Sequence, residues 1–204
     1  MIRGKKVFFR AIEEGDLEAL GEWANDPVIS DLVVGWSFPV SMADQREWFE
    51  ASRRDPATRR FIVESEEDGV LGLTGLWNID WHNRHALTAL KLGSASVRGK
   101  GYGTDAIMTL MKYAFFEVGL NRLWSAILPY NIGSYKAYVE KCGWKVEGRL
   151  RQEIFRHGKY HDLYRVAVIR EDLMAHPLFD EYVSAADRGE GRAEFQVPKD
   201  SRGW

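Results

Sequence analysis

The chain has 204 residues, 45% hydrophobic and 28% charged, which is enough to bury one substantial core. Its formal net charge of −2 gives no electrostatic footprint for nucleic acid, and no run of about eighteen apolar residues suggests a membrane span. The single cysteine, Cys142, excludes an internal disulfide and any cysteine-based metal cluster, which fits a reducing, cytoplasmic setting.

In chain order, Lys5–Ile12 reads as a first strand. Leu17, Leu20 and Trp23 recur at helical spacing over Asp16–Asp26, with Asp16 as the expected cap. An apolar loop, "PVISDLVVGWSFPV", follows, and Ser41 caps a second helix running to about Arg53. Residues Arg60–Asp80 form two strands that turn at Glu67–Gly69, and His85–Ser94 is a fourth strand. A stripe of Ala106, Ile107, Leu110, Met111, Ala114, Phe115 and Val118 marks a long helix ending at Gly119. Asn121–Leu128 is a strand, and Asn131 caps a helix that stops at Gly143. Two last strands fit Trp144–Arg156 and Lys159–Ile169, turning at His157–Gly158. The order is α/β, at the α+β boundary: seven strands in a mixed sheet with about four flanking helices. Residues 1–175 are expected as one domain and 176–204 as a partly disordered extension.

Between the fourth strand and the long helix lies "VRGKGYGTDA", Val97–Ala106. Glycines there permit positive φ and close backbone approach, and the first N–H groups of a helix have no partners inside it. With Arg98 and Lys100 alongside, the segment reads as a phosphate or pyrophosphate site. The phosphate-loop pattern of nucleotide hydrolases is absent. Gly101, Gly103 and Ala106 match the dinucleotide fingerprint, but the acidic residue it needs at the end of the next strand is missing from "SAILPYN".

Arg98-x-x-Gly101-x-Gly103 is similar to the acetyl-CoA signature [QR]-x-x-G-x-[GA] of the GNAT N-acetyltransferases. The stretches "IDWHNRHALTALKLG", "GYGTDAIMTLMKYAFFEVGLNRL", "EKCGWKVEGRLRQEIFRHGKYHD" and "YRVAVIREDL" resemble the ribosomal-protein (RimJ/RimL-type) branch of that family. The resemblance runs from about Val7 to Leu173. It implies a mostly antiparallel sheet splayed between strands four and five, with acetyl-CoA in the gap. It also implies an acetyl-CoA-dependent N-acetyltransferase acting on a small-molecule or peptide amine, with no metal and with a homodimer as one assembly. The spacing departs from the family at one place. Asn131 to Gly143 is one residue longer than usual, and an insertion in a helix commonly becomes a π-bulge.

The resemblance implies roles residue by residue. Arg98, Gly99, Lys100, Gly101, Tyr102, Gly103 and Thr104 would hold the pyrophosphate. The backbone of Lys91, Leu92 and Gly93 would pair with the pantetheine amides, with Gly93 marking the bulge that opens the strand edge. Asn131 would cap its helix and touch pantetheine. A protonated amine must lose its proton, and Glu153 is the expected base; the leaving thiolate needs a proton, for which Tyr138 or Ser134 is the expected acid. Trp36, Phe38 and Trp81 are candidate walls of the acceptor site, and Asp31 and Asp80 could attract a cationic amine. The rival function is a non-catalytic acyl-CoA-binding sensor or interaction module.

Overall fold

A computed structural model describes residues 1–35 and 38–190. Its eight strands form one sheet in the order β1-β2-β3-β4-β5-β6-β8-β7. They are β1 (Ile2–Arg3), β2 (Phe8–Arg10), β3 (Arg59–Ser65), β4 (Gly69–Asp80), β5 (His85–Leu92), β6 (Arg122–Ile127), β7 (Lys145–Arg156) and β8 (Lys159–Ile169). The strand beyond the seven expected is the short β1, which pairs with β2. Every neighbouring pair is antiparallel except β5 with β6, and that parallel pair is held over only three residue pairs, ending at Leu87↔Trp124. Beyond Leu87 the two strands part, so the sheet is splayed where the sequence resemblance placed the splay.

Seven α-helices lie among the described residues: α1 (Leu17–Asn25), α2 (Pro27–Leu32), α3 (Met42–Arg54), α4 (Tyr102–Lys112), α5 (Ile132–Tyr135), α6 (Arg170–Met174) and α7 (Phe179–Tyr182). The loop expected after Asp26 begins as α2. Asp26 accepts hydrogen bonds from the N–H groups of Val28 and Ile29, and Pro27 takes the first helical position, where its missing N–H costs nothing. Ser41 caps α3 as expected, in a reciprocal capping box with Asp44. Asp16 does not cap α1. Its carboxylate is drawn instead into a two-pronged ion pair with Arg10 and accepts from the Glu13 N–H.

The core forms two layers on either face of the sheet. On one face α4 buries Ala106, Ile107, Leu110 and Met111 against Val63, Leu71, Leu76 and Leu123. Each such side chain contributes roughly 1.5–3 kcal/mol when fully buried. α4 runs on into a π-helical turn, Tyr113–Glu117, which places Phe115 in the same cluster. The other face carries a smaller cluster of Leu17, Leu20, Phe49, Ile62 and Leu73 beneath α1 and α3. The stretch from His176, expected as an extension, holds α7 and then Val183, which is 1% exposed and belongs to the main cluster. The final residues, 191–204, lie outside the described residues.

Candidate active site

The glycine-rich segment ends on Gly101, which starts α4 in the left-handed region at φ +90°, and Gly99 stands at φ +81°. No side chain caps this helix, so the N–H groups of its first turn face outward as an anion site aligned with the helix dipole. Gly103, on that first turn, lies over Leu90 and Leu92 of β5. The anion site therefore adjoins the part of β5 that β6 has left.

The charges around the loop are arranged differently from the expectation. Lys100 turns away to an ion pair with Asp68 at 2.7 Å, and the buried Tyr102 donates its hydroxyl to the same carboxylate at 2.7 Å. Arg98 is exposed. Lys6, which the sequence did not single out, reaches the loop from the first segment of the chain, and its ammonium donates to the Lys100 carbonyl at 2.9 Å. Asp105 fixes that segment. Its carboxylate accepts from the backbone N–H groups of Lys5, Lys6 and Val7 and from the Tyr182 hydroxyl. The only sequence signal for it was an acid in the first turn of a helix.

Strand alternation decides which backbone groups of β5 face the gap. The Gly93 N–H donates to the Leu71 carbonyl at 2.8 Å. In an antiparallel ladder this turns the backbone of Lys91 toward β4 as well, and leaves Leu90 and Leu92 with N–H and C=O groups directed at the gap. Leu92 is thus placed as expected, Leu90 was missed, and the backbone of Lys91 and Gly93 is committed to β4. Gly93 marks no bulge, since the β4–β5 register shift falls between Trp77 and Asp80. It is a glycine because a Cβ there would come within 2.0 Å of the Trp23 indole.

The extra residue in the Asn131–Gly143 segment is accommodated by a π-helical turn, Lys136–Lys141, which continues α5. This turn buries Tyr138 to 5% exposure, edge-on to Trp144 at 4.8 Å, with its hydroxyl facing the Leu90 N–H. Burial pushes the phenol's pKa well above its ordinary value, the nearby Cys142 adds to this, and the Leu90 N–H opposes it. The hydroxyl is accordingly protonated throughout the neutral range, at the open edge of β5. Ser134 lies one turn earlier and donates its N–H to the Asn131 side chain at 3.0 Å. Asn131 caps α5 as expected, and its amide nitrogen is taken by the Leu32 carbonyl at 3.1 Å.

That contact is one of several that bind the end of α2 to the β6 side of the splay. The Tyr130 hydroxyl donates to the Asp31 carbonyl at 3.2 Å, and His157 at the β7–β8 turn meets the Asp31 carboxylate at 2.8 Å. A cleft of about 740 Å³ opens there, lined by Asp31, Phe38, Asp44, Arg156 and His157 among others. Phe38 is 83% exposed in it. Trp36 lies outside the described residues. Trp81 sits in the β4–β5 turn, at the end of β5 that is paired with β6. Asp80 is occupied in that turn, accepting from the N–H groups of His82 and Asn83. Glu153 stands exposed in a wide bulge of β7, between Leu150 and Ile154, with β8 between it and β6.

An uncapped helix N-terminus beside an unpaired strand edge, with a buried phenol at that edge, is the geometry that an acyl-coenzyme A transferase needs, and the comparisons with known proteins define that class. The chain belongs to the GNAT family: its residues 6–145 match the acetyltransferase (GNAT) domain. It is 28% identical over 166 residues to spermidine N(1)-acetyltransferase of Vibrio cholerae, covering 81% of this chain and 94% of that one. The crystal structure of spermidine N-acetyltransferase from Vibrio cholerae, in complex with CoA and spermine, superposes with a TM-score of 0.75 at 27% identity, covering 82% of this chain and 97% of the other. A putative ribosomal N-acetyltransferase of Bacillus subtilis is 33% identical over 106 residues, 52% of this chain and 57% of its own length. The ribosomal-protein branch suggested by the sequence motifs is therefore matched over half the chain, and the spermidine acetyltransferase over most of it.

Proposed function

We propose that this chain transfers an acetyl group from acetyl-CoA directly to a primary amine, with no covalent enzyme intermediate. The observation that carries the proposal is the outward-facing first turn of α4 lying against the Leu90–Leu92 edge of β5. The α4 amides, Arg98 and Lys6 would grip the pyrophosphate, and the Leu92 backbone and the Leu90 carbonyl would pair with the pantetheine amides. Acetyl-CoA supplies an activated thioester. The Leu90 N–H would donate to its carbonyl oxygen, where charge develops. Tyr138 would return a proton to the departing sulfur. Glu153, through water, is the proposed acceptor of the amine's proton. Holding the two reactants together supplies the rest of the rate enhancement.

The likeness to the spermidine acetyltransferase of Vibrio cholerae, over 81% of this chain, supports a polyamine as one acceptor class. A protein N-terminus fits the ribosomal-protein motifs, and an amino sugar or antibiotic amine fits the same chemistry. A cytoplasmic setting, with a homodimer as one assembly, belongs to the same reading. The test is an amine panel with acetyl-CoA, reading released thiol. Turnover with any amine supports it; tight CoA binding with no thiol release from the whole panel would leave a non-catalytic acyl-CoA-binding module. Glu153→Gln should depress kcat at neutral pH and recover toward high pH, where the free amine needs no base. An unchanged pH–rate profile removes Glu153 from the mechanism.

A further inference from the structure

The stretch after His176 follows the elements that carry the site, yet it is fastened to α4 at both ends of that helix. Val183 belongs to the main core cluster, and the Phe179 ring meets Phe116 at 6.0 Å. Asp187 pairs with Lys112, the last residue of α4, at 3.6 Å. Near the start of α4, Glu181 pairs with Lys5, whose ammonium also stands 5.0 Å from the centre of the Tyr182 ring. Tyr182 then donates its hydroxyl to Asp105 Oδ1, in the first turn of α4, at 2.7 Å.

Asp105 is 3% exposed, and four donors hold its carboxylate. Oδ2 accepts from the N–H groups of Lys6 and Val7 at 2.7 and 2.8 Å; Oδ1 accepts from the Lys5 N–H at 3.1 Å and from Tyr182. The phenol is thus the closer of the two donors to Oδ1. Burial raises the pKa of Tyr182 and its bond to Asp105 raises it further, so the hydroxyl remains a donor throughout the neutral range. Without it, one oxygen of a buried carboxylate keeps a single long partner, which is unfavourable enough to turn the group away from the Lys6 and Val7 amides. The fit between the first segment and α4 is close. A Cβ on Gly4 would stand 2.7 Å from Asp105 Oδ2 and 2.3 Å from Thr109 Oγ1. From this segment the Lys6 ammonium donates to the Lys100 carbonyl in the glycine loop at 2.9 Å. A carboxylate in the first turn suits the helix dipole but opposes a diphosphate on the same amides, and its four donors offset that charge.

We propose that Tyr182 is a positioning residue for coenzyme binding: its hydroxyl sets the Asp105 carboxylate, Asp105 sets the Lys6 backbone, and Lys6 completes the diphosphate site at the glycine loop. The segment after His176 therefore acts on the coenzyme through Asp105 and Lys6. The inference rests on the reading of Lys6 and the α4 amides as the diphosphate grip. Because linkage is reciprocal, bound CoA in turn holds the segment on α4.

Tyr182→Phe keeps the ring beside Lys5 and removes one oxygen. Calorimetry with CoA should show Kd raised roughly five- to tenfold, part of the worth of a hydrogen bond to a charged group. With any amine that turns over, KM for acetyl-CoA should rise by a similar factor while kcat stays within about twofold. Lys6→Met should weaken CoA by itself, and adding Tyr182→Phe to it should cost less than about a further twofold, since both act through one ammonium. Glu181→Gln releases Lys5 on the same helix and leaves the Asp105 bonds in place, so CoA affinity should stay within about twofold of the parent. Hydrogen exchange tests the unaltered protein, whatever the substitutions do to folding: amides of residues 179–190 should exchange several-fold more slowly at saturating CoA. Parent-like CoA affinity in Tyr182→Phe, an equal loss in Glu181→Gln, full additivity with Lys6→Met, or exchange indifferent to CoA would each overturn the inference. A loss in Lys6→Met with none in Tyr182→Phe removes the role of Tyr182 alone; no loss in Lys6→Met removes Lys6 from the diphosphate grip and this inference with it. Absence of turnover with every amine would remove the acetyl-transfer reading, and the CoA titrations would still decide the role of Tyr182.

Discussion

The Lys6 ammonium rests 2.9 Å from the carbonyl oxygen of Lys100, ninety-four residues later in the chain. A Cβ at Gly101 would come 3.4 Å from the same ammonium, on a backbone already at φ +90°. The first segment of the protein thus forms one wall of the glycine loop. Gly101→Asp should weaken CoA binding by at least roughly tenfold, through left-handed strain of about 1–2 kcal/mol and a negative charge beside phosphate. Lys6→Met should weaken it several-fold and flatten its salt dependence. Calorimetry at two ionic strengths checks both, and unchanged affinity in Gly101→Asp would contradict the loop assignment.

Asp105 links three parts of the chain that are far apart in sequence: the Lys5–Val7 backbone, α4 and Tyr182. Its removal leaves the buried Val7 N–H and three part-buried donors without this acceptor. Asp105→Ala should cost about 3 kcal/mol, the scale for stranding buried polar groups. For a domain of this size that lowers Tm by roughly 6–12 °C. A thermal melt within a degree or two of the parent would show that the α7 segment and the first residues are held by other contacts.

Tyr138→Phe keeps the ring on Trp144 and removes only the hydroxyl. It should lower kcat by roughly a hundredfold, the lower range for general acid catalysis, while leaving CoA affinity within a few-fold. Loss of CoA affinity with unchanged kcat would make Tyr138 a packing residue.

Cys142 is fully buried, its thiol donates to the Thr104 carbonyl at 3.7 Å, and burial pushes its pKa up to about 12. The fold favours the protonated thiol. Its contribution to stability is therefore whole below about pH 9, the ordinary thiol range, and is lost as pH rises toward 12. Native protein at pH 8 should leave this thiol unreactive toward a disulfide reagent, and unfolding should release one equivalent. Rapid labelling of the native state would contradict the buried placement.

Lys91 titrates in the opposite sense. Burial first, then Arg60, lowers its pKa from 10.5 to about 8. At neutral pH the unfolded chain holds this proton more readily than the folded one, so the charged lysine destabilises the fold. That cost shrinks as pH rises from 8 toward 10.5 and is gone above it. The stability of Lys91→Met relative to the parent should be higher at pH 8 than at pH 10.5. Denaturant melts of both proteins across that interval measure the difference, and a gain independent of pH would assign it to packing instead.

Local chemistry made much of this protein legible. The caps Ser41 and Asn131, the stripe of α4 and the turn at His157–Gly158 are each decided by neighbours within a few residues. The glycine loop was legible for the same reason, since positive φ and uncapped amides are properties of a short segment. The π-helical turn at Lys136–Lys141 followed from counting one residue too many. α2 was missed because the whole stretch was read as a loop despite its apolar content, although Asp26-Pro27 is a cap followed by a first helical residue.

The sequence by itself determined the element order and the glycine-rich turn into α4, because periodicity, caps and glycines act at short range, while the splay of the sheet was legible only through the resemblance to a family. Only the tertiary structure decided which backbone groups of β5 face the gap, that Lys100 turns to Asp68 while Lys6 replaces it, and that Tyr182 meets Asp105. Those outcomes depend on strand register and on contacts between residues tens of positions apart, where a shift of one residue would exchange the two faces of a strand.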